Sequence, residues 1–160
     1  MKLTDREWKA FRLEDIFECE KGVYLPTNTV IDGDVAYITA RVGNNGLNRF
    51  IGNGILFKGN KITIEKICLS AYYQPMNFYC SHDVSVIWNE NLNEYNAHFI
   101  ATMIMRNGNK YSYGRQAQLS VVKREYIMLP VNHDGEPDYD FMEQYIKELM
   151  LKKYAQYLRL

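Results

Sequence analysis

Apolar positions along the chain shift between a period of two and a helical period of 3.6, and the shifts divide it into elements. EWKAFRLEDIFECEKG places Trp8, Phe11, Leu13, Ile16 and Phe17 where a short amphipathic helix, or a helix and a strand, would bury them before Gly22. Short β-like runs follow: DVAYITA, GILF, KITIEKICLSA, NFYCS and DVSVIW, punctuated by Gly, Asn, Pro or Asp. In YITARVGNNGLNRF, residues 37–50, Asn44-Asn45-Gly46 reads as a tight type I′ hairpin turn, because Asn and Gly tolerate positive φ. Leu92, Tyr95, Phe99 and Met103, widened by Ile100 and Ile104, predict a helix with Asn91 and Glu94 at its start and Gly108 as its stop. QLSVV and YIMLPV read as two more strands, joined to the last element by the polar connection VNHDGEPDYD. DFMEQYIKELMLKKYAQYLRL then predicts a helix that Asp140 caps with Glu143 in the box position. Its stripe of Met142, Ile146, Leu149, Met150, Tyr154, Tyr157 and Leu158 calls for a core or a partner helix. The expected fold is α+β: a twisted, mostly antiparallel β-sheet domain with packed helices and a trailing C-terminal helix, divided into residues 1–137 and 138–160.

Composition changes this picture little until charge is placed along the chain. A length of 160 residues suits one core without disulfides. The 13 Tyr, 7 Phe and 2 Trp suit packed strands or a binding face. Cys19, Cys68 and Cys80 form an odd set with no Cys-x-x-Cys spacing, and neither a signal peptide nor a bilayer-length apolar run is seen. A reducing cytoplasm, with no membrane partner, is the expectation. Net charge is zero, yet residues 35–131 carry ten Lys or Arg against five acids, while both ends are acidic. Arg106 to Arg124 holds five basic residues and no acid, with Tyr111 and Tyr113 between them. Such a stretch suits either phosphates or a solvated loop.

Catalytic chemistry has no clear home. Cys80-Ser81-His82-Asp83 puts a thiol, an imidazole and a carboxylate together, but structural zinc wants four ligands and no others stand at a convincing spacing. Glu7-Trp8-Lys9 is the one Glu-x-Lys triplet and lacks a preceding Pro-Asp, so a nuclease site is incomplete. A phosphate loop ending in Gly-Lys-Ser/Thr and the adjacent prolines of an adenine methyltransferase are absent. No catalytic residue, metal or cofactor is therefore assigned. A small metal-dependent nuclease around His82 and Asp83 is the weakest of the competing readings.

Four phrases together carry a resemblance: YITA…NNG, KITI…SAYYQPMNFYCSHDVSVI, YGRQAQLSVVKREYIMLPV and GEPDYDFMEQYI. In this order they resemble the target recognition domain of DNA specificity (S) subunits from restriction-modification systems, Type I or the related Type II bipartite-site enzymes, from about Trp8 to Leu149. The resemblance implies a non-catalytic domain that binds one half of a split double-stranded DNA site. Methyltransferase and endonuclease subunits would do the chemistry, and a helix would pack against a second recognition domain or a second copy. Length is the departure, since a complete subunit in that family usually holds two recognition domains and two long helices.

Reading duplex DNA needs groups that fix the backbone and bidentate groups that reach base edges, Arg for guanine and Asn or Gln for adenine. Arg115, Gln116 and Gln118, in a Gly-preceded loop, rank first for bases. Lys110, Tyr111, Tyr113, Lys123 and Arg106 rank as backbone partners. Tyr73, in Tyr72-Tyr73-Gln74, and Arg41, Asn45 and Arg49 around the hairpin complete the candidate set. Met142, Ile146, Leu149, Tyr154 and Tyr157 are the candidate partner-helix residues. The alternative from another class is a protein-interaction module of the same fold that uses the tyrosine-rich terminal helix without touching DNA.

Overall fold

Period-two runs and helical stripes resolve into strands and helices in the computed structural model, which describes residues 1–159 and leaves Leu160, the last residue of the expected terminal helix, outside the described residues. In chain order they are β1 (Trp8–Arg12), α1 (Leu13–Ile16), β2 (Glu18–Lys21), β3 (Asp32–Ile38), β4 (Leu47–Ile51), β5 (Lys61–Glu65), β6 (Ala71–Gln74), β7 (Tyr79–Cys80), β8 (Val84–Trp88), α2 (Glu94–Met105), α3 (Leu119–Arg124), β9 (Tyr126–Pro130) and α4 (Tyr139–Tyr157). The central sheet has the order β2-β8-β5-β6, antiparallel throughout. Strand β5 pairs Ile62 with Ile87 and Thr63 with Val86 of β8, so alternate residues of both strands point to opposite faces.

Both faces are covered. Ile62, Ile64 and Ile87 join Ala97, Ile100, Ala101 and Ile104 of α2 in the larger core, together with Leu13 of α1 and Ile127 and Leu129 of β9, which pairs with β1. Val84 and Val86 face a smaller core of Ile38, Phe57, Phe78 and Cys80, supplied by the second sheet, β4-β3-β7, and its flanking segments. Helix α4 lies on α2 through Tyr145, which meets Phe99 edge-on at 5.7 Å, and Trp8 of β1 stacks on the same ring at 5.9 Å.

The α+β class and the trailing helix hold, while several elements differ in detail. Residues 7–22 form strand, one helical turn and strand. KITIEKICLSA is two strands, because Glu65 folds the chain back on itself at residues 66–70. GILF contributes only a bridge from Phe57 to Phe78, and NFYCS only the short β7, which runs parallel to β3. QLSVV was expected to be a strand, but Leu119–Arg124 is helical. Val122 there is fully buried and the turn packs on α1 and β2, so tertiary packing overrides the β-preference of two valines. Helix α2 is capped two residues later than Asn91: Asn93 is its N-cap, accepting from Tyr95 and Asn96 N–H, and Asn96 closes the box. It also ends before Gly108, with Arg106 as its C-cap.

Asp138, not Asp140, caps α4, since its carboxylate accepts from the Phe141 N–H at 2.9 Å and from the Arg6 guanidinium at 2.8 Å. Starting the helix two residues earlier turns Phe141 and Met142 into the core, where both are buried. Asp138→Ala is therefore expected to cost ~1 kcal/mol of stability in urea unfolding, and Asp140→Ala less than about 0.5 kcal/mol; the reverse ranking would restore Asp140 as the cap.

Candidate functional site

The β5–β6 hairpin anchors two loops, one at each end. At its open end sits the β3–β4 connection, residues 39–46, in which Gly43, Asn44, Asn45 and Gly46 all have positive φ between 48° and 86°. A two-residue turn was expected; the strands instead close at Ile38 and Leu47, and Asn44–Gly46 forms a 3-10 turn inside a longer loop. That loop is tied down by amides. Gln74, buried at 4% exposure, donates from Nε2 to the Asn45 carbonyl at 3.0 Å and to Thr63 Oγ1 at 3.1 Å. Asn45 Nδ2 donates in return to Gln74 Oε1 and to the Tyr73 carbonyl, both at 3.2 Å. Gly43 N–H donates to the Tyr72 hydroxyl at 2.6 Å. The loop is thus fastened to β6.

At the closed end, the Glu65 carboxylate accepts from the N–H groups of Ile67, Cys68 and Ser70 at 2.6, 2.8 and 2.9 Å. The turn so fixed receives the basic loop: Ala117 N–H donates to the Lys66 carbonyl at 2.7 Å, and a Cβ on Gly108 would lie 2.1 Å from the Cys68 carbonyl oxygen. Within the loop, Ser112 and Arg115 exchange backbone hydrogen bonds at 3.1 and 3.0 Å, making a tight turn with Tyr113 at its tip, 84% exposed. Arg115 lies 5.8 Å from the centre of the Tyr111 ring. The Tyr111 hydroxyl donates at 2.5 Å to Glu125, a buried carboxylate that also pairs with Lys110.

These contacts sort the candidate residues. Asn45, Tyr73, Lys110 and Tyr111 spend their polar groups inside the protein, Tyr73 through its hydroxyl on Asn60 Oδ1 at 2.9 Å. Arg49 pairs with Asp32 across the hairpin. Lys123 lies toward β2, where its charge opposes the burial that pushes the Cys19 thiol up to about 11. Arg41, Arg106 and Arg115 have no carboxylate partner among the described residues. Gln116 and Gln118 make only the long contacts of an open loop, at 3.3 and 3.4 Å. No hydrogen bond or ion pair joins residues 41–49 to residues 106–123 among the described residues; each loop is bonded to one end of the β5–β6 hairpin.

A sequence profile described as "Type I restriction modification DNA specificity domain" matches residues 5–157. The chain belongs to this family. The specificity domain is 30% identical over 152 residues to the "Type II restriction enzyme BgcI specificity subunit S.BcgI" of Heyndrickxia coagulans, covering 92% of this chain and 45% of that protein. Its fold is similar to that of the S subunit of a Type I restriction-modification system from M. genitalium, with a TM-score of 0.65 at 13% identity, covering 98% of this chain and 42% of that one. It is also similar to the HsdS subunit from Thermoanaerobacter tengcongensis, with a TM-score of 0.64 at 11% identity over 92% of this chain and 38% of that one. The specificity domain therefore spans less than half the length of these relatives.

On the helical side of the specificity domain, Met142 is buried in its own core and Ile146 partly so, while Leu149, Tyr154 and Tyr157 are exposed. Arg106 lines a surface cavity of about 650 Å³ with Trp8, Phe99, Met103 and Leu149. Among the described residues, no group of three or more His, Cys, Asp or Glu is placed to hold a metal ion, and no helix is long and apolar enough to cross a membrane. Cys80 is buried in the smaller core, where burial raises its thiol pKa. The candidate set leaves out Gln74, Glu65 and Glu125. Glu125 had a signal, as the first acid after the acid-free stretch, and Glu65 interrupts an apolar run.

Replacing Gln74 with Ala leaves the Asn45 carbonyl and Thr63 hydroxyl without their donor, an expected loss of about 1–3 kcal/mol in denaturant unfolding. A change within about 0.5 kcal/mol would show that the amide latch contributes little. Burial first, then the hydrogen bond to Glu125 and its charge, push the Tyr111 phenol from 10.0 up to about 12. Folding thus favours the protonated phenol. Its contribution is full below the unfolded value of 10.0 and is lost as pH rises through about 12. Tyr111→Phe is expected to lose less stability across that alkaline window than the parent does, as measured by unfolding midpoints; equal losses would contradict the assignment.

Proposed function

We propose that this chain binds double-stranded DNA sequence-specifically as a specificity subunit, or half-subunit, of a restriction-modification complex and reads one half of a bipartite site. The observation that carries the reading is Arg115. It is a cation with no carboxylate partner among the described residues, held over Tyr111 on a pinned turn, within a chain whose family is described as a DNA specificity domain. In this reading Arg115 and Gln116 reach base edges, with Arg41 from the hairpin tip and Gln118 beside them. Tyr113, Arg106 and Lys123 meet the phosphate backbone. Asn45, Tyr73 and Arg49 shape the supporting surface. Residues 1–137 serve as the recognition domain, and the helix from 138 on as spacer and partner surface. Methyltransferase and endonuclease subunits supply the chemistry, and a second recognition domain or a second copy supplies the other half-site.

A second function for the helix is favoured by its exposed face of Leu149, Met150, Tyr154 and Tyr157. Such a stripe suits helix-mediated assembly, whether or not DNA is bound. Light scattering is expected to show a dimer for the chain and a monomer for the double substitution Tyr154→Glu, Tyr157→Glu; one mass for both would remove the helix from assembly.

DNA binding itself is tested by mobility shift against duplexes selected from a randomised pool. Affinity is expected to fall steeply with salt, and Arg115→Ala to lose ~1–3 kcal/mol of discrimination at the base it contacts. Arg106→Ala is expected to weaken all duplexes alike and to reduce the salt slope by about one. A parent chain that enriches no sequence would overturn the reading. Unchanged preference in Arg115→Ala would remove only that residue.

A further inference from the structure

We infer that Glu125 is a positioning residue for base recognition: its buried carboxylate, through Tyr111 and Lys110, holds the Arg115 turn in one orientation and cancels the loop's other cation. This inference deepens the DNA-binding reading above and rests on it.

Glu125 is itself immobile. It is 6% exposed at the junction of α3 and β9, its carbonyl accepts from Leu13 N–H at 2.9 Å, and its own N–H donates to the Val122 carbonyl at 3.1 Å. Both carboxylate oxygens are occupied by the basic loop, Oε1 by Lys110 and Oε2 by the Tyr111 hydroxyl. A buried carboxylate without partners is costly, and both of its side-chain partners come from one exposed loop. Satisfying Glu125 therefore requires residues 110 and 111 to be ordered. Four residues after Tyr111, Arg115 returns to the Tyr111 ring, its path fixed by the Ser112–Arg115 turn and by the Ala117 bond to Lys66. Order at Glu125 is transmitted to the guanidinium in two short steps.

The second consequence is electrostatic. Phosphate binding is independent of sequence and grows with each free cation, whereas discrimination comes from oriented bidentate contacts. With Lys110 held by Glu125, the tip of the loop keeps Arg115 as its free cation, so specific contact rises relative to non-specific contact. A residue that only stabilised the fold would not link these two quantities. Removing the negative charge is expected to move them in opposite directions: weaker preference and stronger general binding.

The test uses the full chain, duplexes selected by the parent from a randomised pool, and the variants Glu125→Gln and Tyr111→Phe. For Glu125→Gln, the affinity ratio of selected to unselected duplex is expected to fall about tenfold, as for the loss of one oriented base contact. Its unselected-duplex affinity rises, with a salt slope steeper by about one phosphate contact as Lys110 is freed. For Tyr111→Phe, which keeps the ring and Glu125, the ratio falls and the salt slope stays at the parent value. Amide hydrogen exchange in residues 108–118 is expected to quicken in both variants. Parent-like exchange in both would overturn the positioning role, as would a parent-like affinity ratio in both. If the parent enriches no duplex, the DNA reading fails. The exchange arm then decides whether Glu125 orders the loop.

Discussion

The structure depends on strands β5 and β8 being buried on both faces. A strand covered on one side can leave polar side chains to water, whereas β5 carries Thr63 and Glu65 into the interior opposite Ile62 and Ile64. Each of those polar groups is satisfied by a loop or turn. Thr63 is met by Gln74, which also grips Asn45, and Glu65 is met by the N–H groups of the turn that follows it. Hydrogen bonding inside the sheet thereby fixes two surface loops at a set separation along one hairpin. Recognition surfaces are disproportionately built from loops on a rigid scaffold, and here the rigidity enters through the buried polar side chains of the scaffold itself.

The same economy applies to charge. The basic segment from Arg106 to Arg124 contains five cations, but they are unequal. Lys110 is paired with Glu125, Lys123 faces β2, and Arg115 is left beside an aromatic ring. At the hairpin, Arg49 is paired with Asp32 while Arg41 is exposed and has no carboxylate partner among the described residues. Two loops that each keep a free arginine near a neutralised cation are a different object from a uniform basic patch. A uniform patch would bind any polyanion, whereas separate guanidiniums at a fixed spacing suit contacts that depend on geometry.

Much of this was legible in the sequence where a physical rule is local. Positive φ at Asn44 and Asn45, the helical stripe of α2 and the strand ending at Pro130 follow from residue type and spacing. What was not legible depends on partners distant in sequence. Asn45 reads as a free amide until Gln74, 29 residues away, is seen to hold it. Tyr111 reads as a phosphate contact until Glu125 takes its hydroxyl. QLSVV reads as a strand because two valines favour one, yet Leu119–Arg124 is helical, with Val122 buried in the core. The cap of α4 is hidden for a similar reason, as the Asp138 carboxylate also holds Arg6, at the other end of the chain.

Helix α4 shows where the domain's own core stops. Its first turns bury Phe141 and Met142, and Glu143 accepts from Asn93, the cap of α2, at 2.7 Å, so this half of the helix is fastened to the fold. From Leu149 onward the apolar residues are exposed, and Leu151, Tyr154, Tyr157 and Leu158 are each at least two-thirds open to solvent. Burying one such side chain contributes roughly 1.5–3 kcal/mol, so covering several at once can offset the cost of bringing two chains together. A cover that docks on this half would be registered against the two loops of the β5–β6 hairpin, because α4 and that hairpin are both packed on α2. The distance from loop to helix is then a property of the folded domain, and a second recognition domain attached through the helix would inherit that distance.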